Sequence, residues 1–329
     1  MTLYLSAADV DDLLSTKEVV DAVEQAHADL ATGLAGQPPV GTLDALPDAT
    51  GDGAKFLPMT AISHRHGLAL VKFMADVPGN RARGLPAQRS MIMVTSTVTG
   101  DCIAVIDGRI PTRDRTAAAS AVATRHLARP DSAVLGLIGA GRLAVEHVAY
   151  VCSVLPIERV VVWSRSGTTL AGFRAGVAAE GLPVTVAGSP QDVVAAADVV
   201  CTLTPSREPL VRGAWFRPGQ HINAVGAPPR PDHREIDGVG MARATVVVDD
   251  HLISIGKSGD SVLALAEGAI TPADLETELG QVITGRRPGR TADGQITLYN
   301  SVGVAIQDLA IARLLIDRAR EWGRGRELG

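Results

Sequence analysis

Residues 132–144 read Ser-Ala-Val-Leu-Gly-Leu-Ile-Gly-Ala-Gly-Arg-Leu-Ala, an apolar run that breaks into a glycine-rich turn. The run reads as a buried strand ending on Gly139, a turn through Gly141, and a helix entered at about Ala144. That spacing is the G-x-G-x-x-G/A dinucleotide fingerprint, in the strand–turn–helix setting it requires. Gly139 permits the tight turn, Gly141 lets the backbone approach a pyrophosphate, and Ala144 keeps the helix close to the sheet. The helix N-terminus then faces the phosphates. An ordinary strand–helix turn would share the glycines, but it would not need a second strand where one follows.

That second strand, Arg159-Val160-Val161-Val162-Trp163, ends at Ser164-Arg165-Ser166. Sites selecting NAD carry Asp or Glu about 20 residues past the glycines, bound to the ribose 2′-hydroxyl. No carboxylate stands at this strand end. Ser164 and Ser166 offer hydroxyls, and Arg165 offers a planar cation suited to a 2′-phosphate. A solvated surface arginine is the plainer reading, but the position favours a binding role. The cofactor read from these residues is NADP(H), with NAD less favoured.

Composition sets the outer bounds. A chain of 329 residues exceeds one typical core and points to two domains. A hydrophobic fraction of 46% supports globular folding, and no apolar run nears the ~18 residues of a membrane span. Met1-Thr2-Leu3-Tyr4-Leu5-Ser6 has neither the basic start nor the long apolar core of a signal peptide. A net charge of −5 without a basic block argues against nucleic acid as the main partner. Cys102, Cys152 and Cys201 are odd in number, far apart and set among apolar neighbours. They read as reduced core thiols of a cytoplasmic protein, without metal-ligand spacing.

Ahead of the fingerprint, residues 9–14 and 17–30 carry apolar positions at helical spacing. Residues 33–53 are rich in Gly, Pro and Asp and read as loop with short strand. Residues 68–75, 90–97 and 102–106 read as strands, followed by an Ala-rich helix over about 114–127. From 132 to 249 the chain alternates, with strands at 133–138, 159–163, 183–186, 198–203, 221–225 and 244–248. Helices fall near 142–153, 168–180, 190–196 and 212–216. This alternation marks a doubly wound parallel sheet. Thr271-Pro272-Ala273-Asp274 reads as a helix start, and 301–322 as a long helix whose apolar face packs back on the N-terminal part. The expected fold is therefore α/β: a Rossmann sheet over 119–300, inserted in a discontinuous α/β domain built from 1–118 and 301–329.

Two cationic residues stand out as candidates for chemistry. Only four of the 31 Lys and Arg residues are lysine, and Lys72 sits in Leu70-Val71-Lys72-Phe73-Met74. Strand alternation turns Lys72 to the opposite face from Val71 and Phe73. A lysine lining an apolar cleft becomes a proton donor or an anion clamp; a lysine snorkelling from a strand edge does neither. The residue alone leaves both readings open. A methionine in its place would keep the stem volume, so the sequence predicts intact folding for that change. Arg115 reads as a first-turn helical arginine, disfavoured by the helix dipole but placed to hold a carboxylate. The alternative is a solvated Arg113/Asp114/Arg115 charge cluster. Asn80 and Thr112 are weaker candidates that read as turn residues. His64, His66 and His147 form no metal-ligand set, and there is no G-x-S-x-G elbow or P-loop.

Taken together these motifs resemble the ornithine cyclodeaminase/μ-crystallin family over essentially the whole chain. The match runs through Lys72, Pro78-Gly79-Asn80, Gly84-Leu85-Pro86, Thr99-Gly100, Asp107-Gly108 and Thr112-Arg113-Asp114-Arg115-Thr116-Ala117-Ala118. It continues with Gly139-Ala140-Gly141, Ala197-Asp198-Val199, Ile222-Asn223-Ala224-Val225-Gly226-Ala227 and Arg234-Glu235-Ile236-Asp237. Glu278-Leu279-Gly280, Ser301-Val302-Gly303 and Asp308 complete it, in the family's order.

The resemblance implies a homodimer joined through the N-terminal domains, a Rossmann domain on each subunit, and a small imine or amino-acid-like substrate. It implies that Lys72 and Arg115 hold and polarise a substrate carboxylate. Trp163-Ser164-Arg165-Ser166 is similar to the Trp-Asn-Arg-Thr of NADPH-using relatives. The nucleotide site is accordingly assigned to Gly139, Ala140, Gly141, Arg142, Leu143, Ser164, Arg165 and Ser166, with Thr204, Val225, Gly226 and Thr112. No metal and no membrane partner are expected. Three positions depart from the family pattern. A second carboxylate-binding arginine is replaced by Gly41, the cyclodeaminase aspartate by Pro228, and an acidic residue of some reductases by Lys257. The first function implied is an NADP(H)-dependent imine or ketimine reductase, or the matching amino-acid dehydrogenase. A cyclodeaminase with recycled NAD is the second, disfavoured by Pro228; a crystallin-like binding protein with little turnover is the third.

Overall fold

In the computed structural model, which describes residues 1–46 and 53–329, two sheets organise the chain. The strands begin with β1 (Thr2–Leu5), β2 (Ala35–Gly36), β3 (Leu43–Asp44), β4 (Lys55–Ser63), β5 (Leu68–Asp76), β6 (Gln88–Ser96) and β7 (Cys102–Asp107). They continue with β8 (Val134–Ile138), β9 (Arg159–Trp163), β10 (Val184–Val186) and β11 (Val199–Thr202). The last are β12 (His221–Ala224), β13 (Thr245–Val248), β14 (Thr297–Asn300) and β15 (Arg326–Leu328). The early helices are α1 (Ala7–Val10), α2 (Thr16–Thr32), α3 (Arg109–Leu127), α4 (Arg142–Cys152), α5 (Gly167–Gly176) and α6 (Pro190–Ala196). The later ones are α7 (Gly238–Arg243), α8 (His251–Lys257), α9 (Gly259–Ala266), α10 (Leu279–Ile283) and α11 (Ala305–Glu321). Two units result: Met1–Arg115 with Val304–Gly329, and Thr116–Gly303. The breaks lie at 115/116 and 303/304, where the sequence suggested 118/119 and 300/301.

The first unit is a mixed sheet in the order β15-β1-β7-β6-β5-β4-β2, with β3 paired to β4. Period-two patterning decides its faces. Leu57, Met59 and Ala61 of β4, Leu70 and Met74 of β5, and Ile92 and Val94 of β6 are buried together on one side. Against that side packs α11, and α2 packs on α11 and β2. Ser15 caps α2, accepting from Glu18 N while Glu18 reaches back to Ser15 N, and Gly33 closes the helix at φ 80°.

The second unit is a parallel sheet in the order β10-β9-β8-β11-β12-β14-β13. The strand order reverses between β8 and β11, the switch point of a doubly wound fold. Leu135, Leu137, Val160, Val162 and Val199 share one apolar cluster with Val148 of α4 and Phe173 of α5. Ile138, Val161, Val200 and Ile222 share another with Val193 of α6 and Met241 of α7. Neighbouring strand residues thus feed opposite faces, and helices cover both. The fold is the α/β Rossmann arrangement inserted in a discontinuous α/β unit.

Several elements differ from the sequence reading. The helix expected from about 114 begins at Arg109, because Pro111 fits a helix's first turn, where its missing N–H is no loss. The expected helix at 212–216 is a three-residue 3-10 turn, Gly213–Trp215, and Pro272–Leu275 is likewise only a 3-10 turn. The sequence reading omitted β1, β4, β14 and β15. Half of β14 is polar, yet all four residues are buried, with Thr297 Oγ1 donating to Leu127 O at 2.9 Å. Of the loop expected over 33–53, residues 47–52 lie outside the described residues; β2 and β3 occupy part of the rest. Cys201 is buried, but Cys102 and Cys152 are half-buried rather than core. Among the described residues no helix is long and apolar enough to cross a membrane, and no His/Cys/Asp/Glu group could hold a metal.

Candidate active site

In the first unit the chemistry gathers around one lysine. β5 lies between β4 and β6, so Lys72 has no strand edge from which to snorkel. Its side chain is fully buried on the α11 side of the sheet, with Leu70 and Met74 as face neighbours. Lys72 Nζ donates to Asp308 Oδ1 at 2.9 Å. Asp308 stands in the first turn of α11, where a carboxylate is favoured by the helix dipole. Arg115 Nε lies 3.5 Å from the same Oδ1, and Arg115 Nη1 donates to Gln307 Oε1 at 3.0 Å. Gln307 Nε2 in turn meets His27 Nε2 at 3.0 Å. Asp308 Oδ2 and Arg115 Nε are buried without a hydrogen bond. Two cations therefore share one carboxylate, and hydrogen-bonding capacity is left over.

Burial pulls the Lys72 ammonium down from 10.5 to about 8; the Asp308 carboxylate opposes this and the Arg115 charge adds to it. A proton held near neutrality is what a general acid needs. Arg115 occupies the seventh position of α3 rather than its first turn, so no unfavourable dipole acts on it. It is instead paired with Asp308, and the residue is buried, 6% exposed.

The second unit forms a cradle at the carboxyl ends of its strands. Gly139 adopts φ 108°, and a Cβ there would stand 2.7 Å from Leu203 O, so only glycine fits. Gly141 is the N-cap of α4 without a side-chain acceptor, and a Cβ on it would enter open space. A cavity of about 440 Å³ opens there, lined among others by Gly141, Arg142, Val145, Thr169 and Phe173. Ala144 is fully buried beneath it. An open, uncapped helix start with space for a ligand fits the pyrophosphate of a dinucleotide.

The other expected nucleotide residues distribute around this cradle. Gly139 N donates to Trp163 O at 2.9 Å, which sets the Ser164-Arg165-Ser166 turn beside the glycines. Arg165 is exposed; Ser166 caps α5, accepting from Thr169 N at 3.2 Å. Thr204 follows β11 and Val225-Gly226 follow β12, and a Cβ on Gly226 would meet Thr204 N. Arg142 and Leu143 begin α4. Thr112 belongs to the first unit and is helical, not a turn residue, with its Oγ1 3.4 Å from Ser90 Oγ. Asn80 lies in a 3-10 segment and donates to Pro86 O at 3.1 Å. His147 is a buried structural residue. Burial holds it down near 4, and it meets Leu143 O at 2.8 Å and Ser120 Oγ at 2.9 Å.

Sequence reasoning assigned no role to Asp308, Gln307, His27 or Glu235. One signal was available: Gln307-Asp308 interrupts the apolar run Val304-Ala305-Ile306 and Leu309-Ala310-Ile311, and a polar pair inside a core-facing stretch needs buried partners.

A family model of the ornithine cyclodeaminase/mu-crystallin family matches residues 1–323. This chain belongs to that family. It is 34% identical to the ketimine reductase mu-crystallin of Rattus norvegicus over 326 residues, 98% of either chain. It superposes with a TM-score of 0.93 on the Thermococcus litoralis Δ1-pyrroline-2-carboxylate reductase solved with NADH and L-proline, at 32% identity over 99% of this chain and 100% of the other. An archaeal alanine dehydrogenase dimer with bound NAD gives a TM-score of 0.93 at 31% identity, covering 100% and 99%. Within the ornithine cyclodeaminase/mu-crystallin family, then, the resemblance extends over both units and not over the Rossmann sheet alone.

Proposed function

We propose that the chain is an NADPH-dependent reductase of a small imine or ketimine acid, equivalently the dehydrogenase of the matching amino acid. The observation that carries this is the buried Lys72–Asp308–Arg115 cluster, in a chain whose relatives include imine reductases and an alanine dehydrogenase. Reducing C=N adds a hydride to carbon and a proton to nitrogen. NADPH, when bound at Gly139, Ala140, Gly141, Arg142, Leu143, Thr204, Val225 and Gly226, supplies the hydride.

The chain's own residues supply the rest. Lys72, protonated below about 8, delivers the proton to the substrate nitrogen. Arg115 binds the carboxylate, for which a planar guanidinium is suited. Asp308 keeps Lys72 charged and oriented. Ser164, Arg165 and Ser166 favour the 2′-phosphate, since no carboxylate at the end of β9 selects against it. Pro228 offers no group to take protons from a second substrate amine, which disfavours cyclodeamination.

The first unit is also the proposed dimer interface. Phe73 of β5 is 47% exposed and pairs across the strands with Met91, which is 41% exposed, as is Met93. An apolar sheet face left open in one chain is suited to a second copy. The deciding experiment is a screen of cyclic and acyclic 2-imino acids with NADPH oxidation as readout. Turnover of at least one carboxylated imine is expected; none with any of them would leave only the binding-protein reading.

A further inference from the structure

Glu235 lies between β12 and α7, and its side chain is sealed from solvent. Four donors converge on it. Oε1 accepts from Thr204 N at 2.7 Å and Thr204 Oγ1 at 2.6 Å, and Oε2 from Thr202 Oγ1 and Gly226 N, both at 2.8 Å. An ionised carboxylate offers about four acceptor positions, so every donor is met. Two of the four are backbone amides of separate turns, those leaving β11 and β12. These turns touch, since a Cβ on Gly226 would stand 2.0 Å from Thr204 N. Glu235 is itself held from behind. Glu235 N and Ile236 N both donate to Asp260 Oδ1 at 2.8 Å, and Asp260 Oδ2 accepts from Asn300 Nδ2 at 3.3 Å.

A tie made only for stability would not need a buried anion, whose desolvation is costly. This one sits outside the carboxyl ends of parallel strands, where open α/β sheets bind their ligands. We propose that Glu235 is a positioning residue of the dinucleotide site, its carboxylate fixing the Thr204 and Gly226 turns in the arrangement that binds cofactor. Asp260 and Asn300 set the position of Glu235 in turn. The inference rests on the dinucleotide reading of the second unit.

Glu235→Gln tests it. The amide keeps the volume but brings an NH₂ against one of the two turns, so a backbone N–H loses its acceptor. Binding of NADPH measured by calorimetry at pH 8 should weaken by roughly tenfold or more, in a protein that is still folded at the assay temperature and whose substrate KM at saturating cofactor is close to wild type. A pH series separates positioning from mere stability. Burial drives the Glu235 carboxyl up to about 7, against the Thr204 hydrogen bonds and reinforced by Asp260. The other titratable group facing it, the Cys201 thiol, is held up near 12 and stays neutral. The wild-type advantage over Glu235→Gln should therefore shrink toward one between pH 8 and pH 6, since the 2′-phosphate titrates in both proteins and cancels. Equal NADPH affinity in a folded Glu235→Gln, or an advantage that ignores pH, overturns the proposal while leaving the dinucleotide reading intact. Wild type that binds neither NADPH nor NADH overturns both. Should Glu235→Gln fail to fold, Thr202→Val removes one donor at constant shape; weaker NADPH binding in it supports the tie, and unchanged binding overturns it.

Discussion

Lys72 Nζ and Asp308 Oδ1 meet at 2.9 Å with both side chains wholly buried, across 236 residues of sequence. The two come from opposite ends of a discontinuous unit, one from the middle of β5 and the other from the first turn of α11. A buried ion pair of this kind rarely adds net stability over an apolar pair. Its retention is better explained by chemistry, because it keeps a proton on a lysine that burial alone would discharge.

The pair bears on two substitutions. In Lys72→Met the methionine fills the space of the stem, and Asp308 Oδ1 keeps Arg115 Nε at 3.5 Å, so one cation and one carboxylate stay together in the buried site. In Asp308→Leu both Lys72 and Arg115 lose the carboxylate they share, and breaking a buried pair by removing one member costs about 3–5 kcal/mol. Asp308→Leu should therefore melt well below wild type, and Lys72→Met much closer to it. Hydride transfer should fall by ~10²–10⁴ in Lys72→Met. Urea melts paired with single-turnover kinetics check this; a folded Lys72→Met with near-normal turnover would reduce Lys72 to a structural lysine.

The same pair sets a pH dependence. In the reductive direction Lys72 must carry its proton, and it loses that proton near 8. The reductive kcat/KM should be level below that pH and fall above it. Asp308 raises the lysine's pKa, so Asp308→Asn should move the falling limb to lower pH. A limb that stays in place in a folded Asp308→Asn would assign the titration to another group.

Arg115 gives a third test, independent of cofactor. Lysine keeps the charge but loses the planar fork and its bond to Gln307 Oε1. Turnover of carboxylated substrates by Arg115→Lys should drop by roughly 10- to 100-fold, the cost of one charge-assisted bond, while NADPH affinity holds. Wild-type kinetics on a carboxylated imine would remove Arg115 from the substrate site.

The second unit was the more legible in sequence, and the reason is physical. Its strands are apolar runs bounded by turn residues, and Gly139 and Gly141 mark a backbone conformation that few other motifs demand. The first unit hides its centre. Lys72 was visible because it breaks an apolar strand, yet its partner lies beyond the inserted domain, and no local spacing connects β5 to α11. Glu235 was hidden for a related reason: its four donors come from the end of β11 and from two turns that only the folded sheet brings together. β14 escaped because a short strand with polar ends has no apolar alternation to betray it; its Thr297 and Asn300 are satisfied by partners far away in sequence. The Ala-rich helix expected from about 114 starts at Arg109 instead, because Pro111 is tolerated inside the first turn of α3.

The choice between NADPH and NADH turns on Arg165. The solved neighbours carry NADH or NAD, so fold alone does not select the phosphorylated cofactor; the end of β9 must do so. There Arg165 is exposed, Ser164 Oγ accepts from Ser166 N at 3.3 Å, and Ser166 Oγ is engaged in capping α5. The two serines are thus partly committed to local structure, and the guanidinium remains the main group for a 2′-phosphate. NADPH should bind more tightly than NADH in wild type. Arg165→Ala should remove roughly 1.5–3 kcal/mol of NADPH affinity, one charge-assisted bond, and leave NADH affinity nearly unchanged. The difference should shrink at high salt, since an exposed cation–phosphate pair is screened. Calorimetric titration of both cofactors into both proteins at two ionic strengths decides it, and equal wild-type affinities for NADPH and NADH would reject the assignment of Arg165.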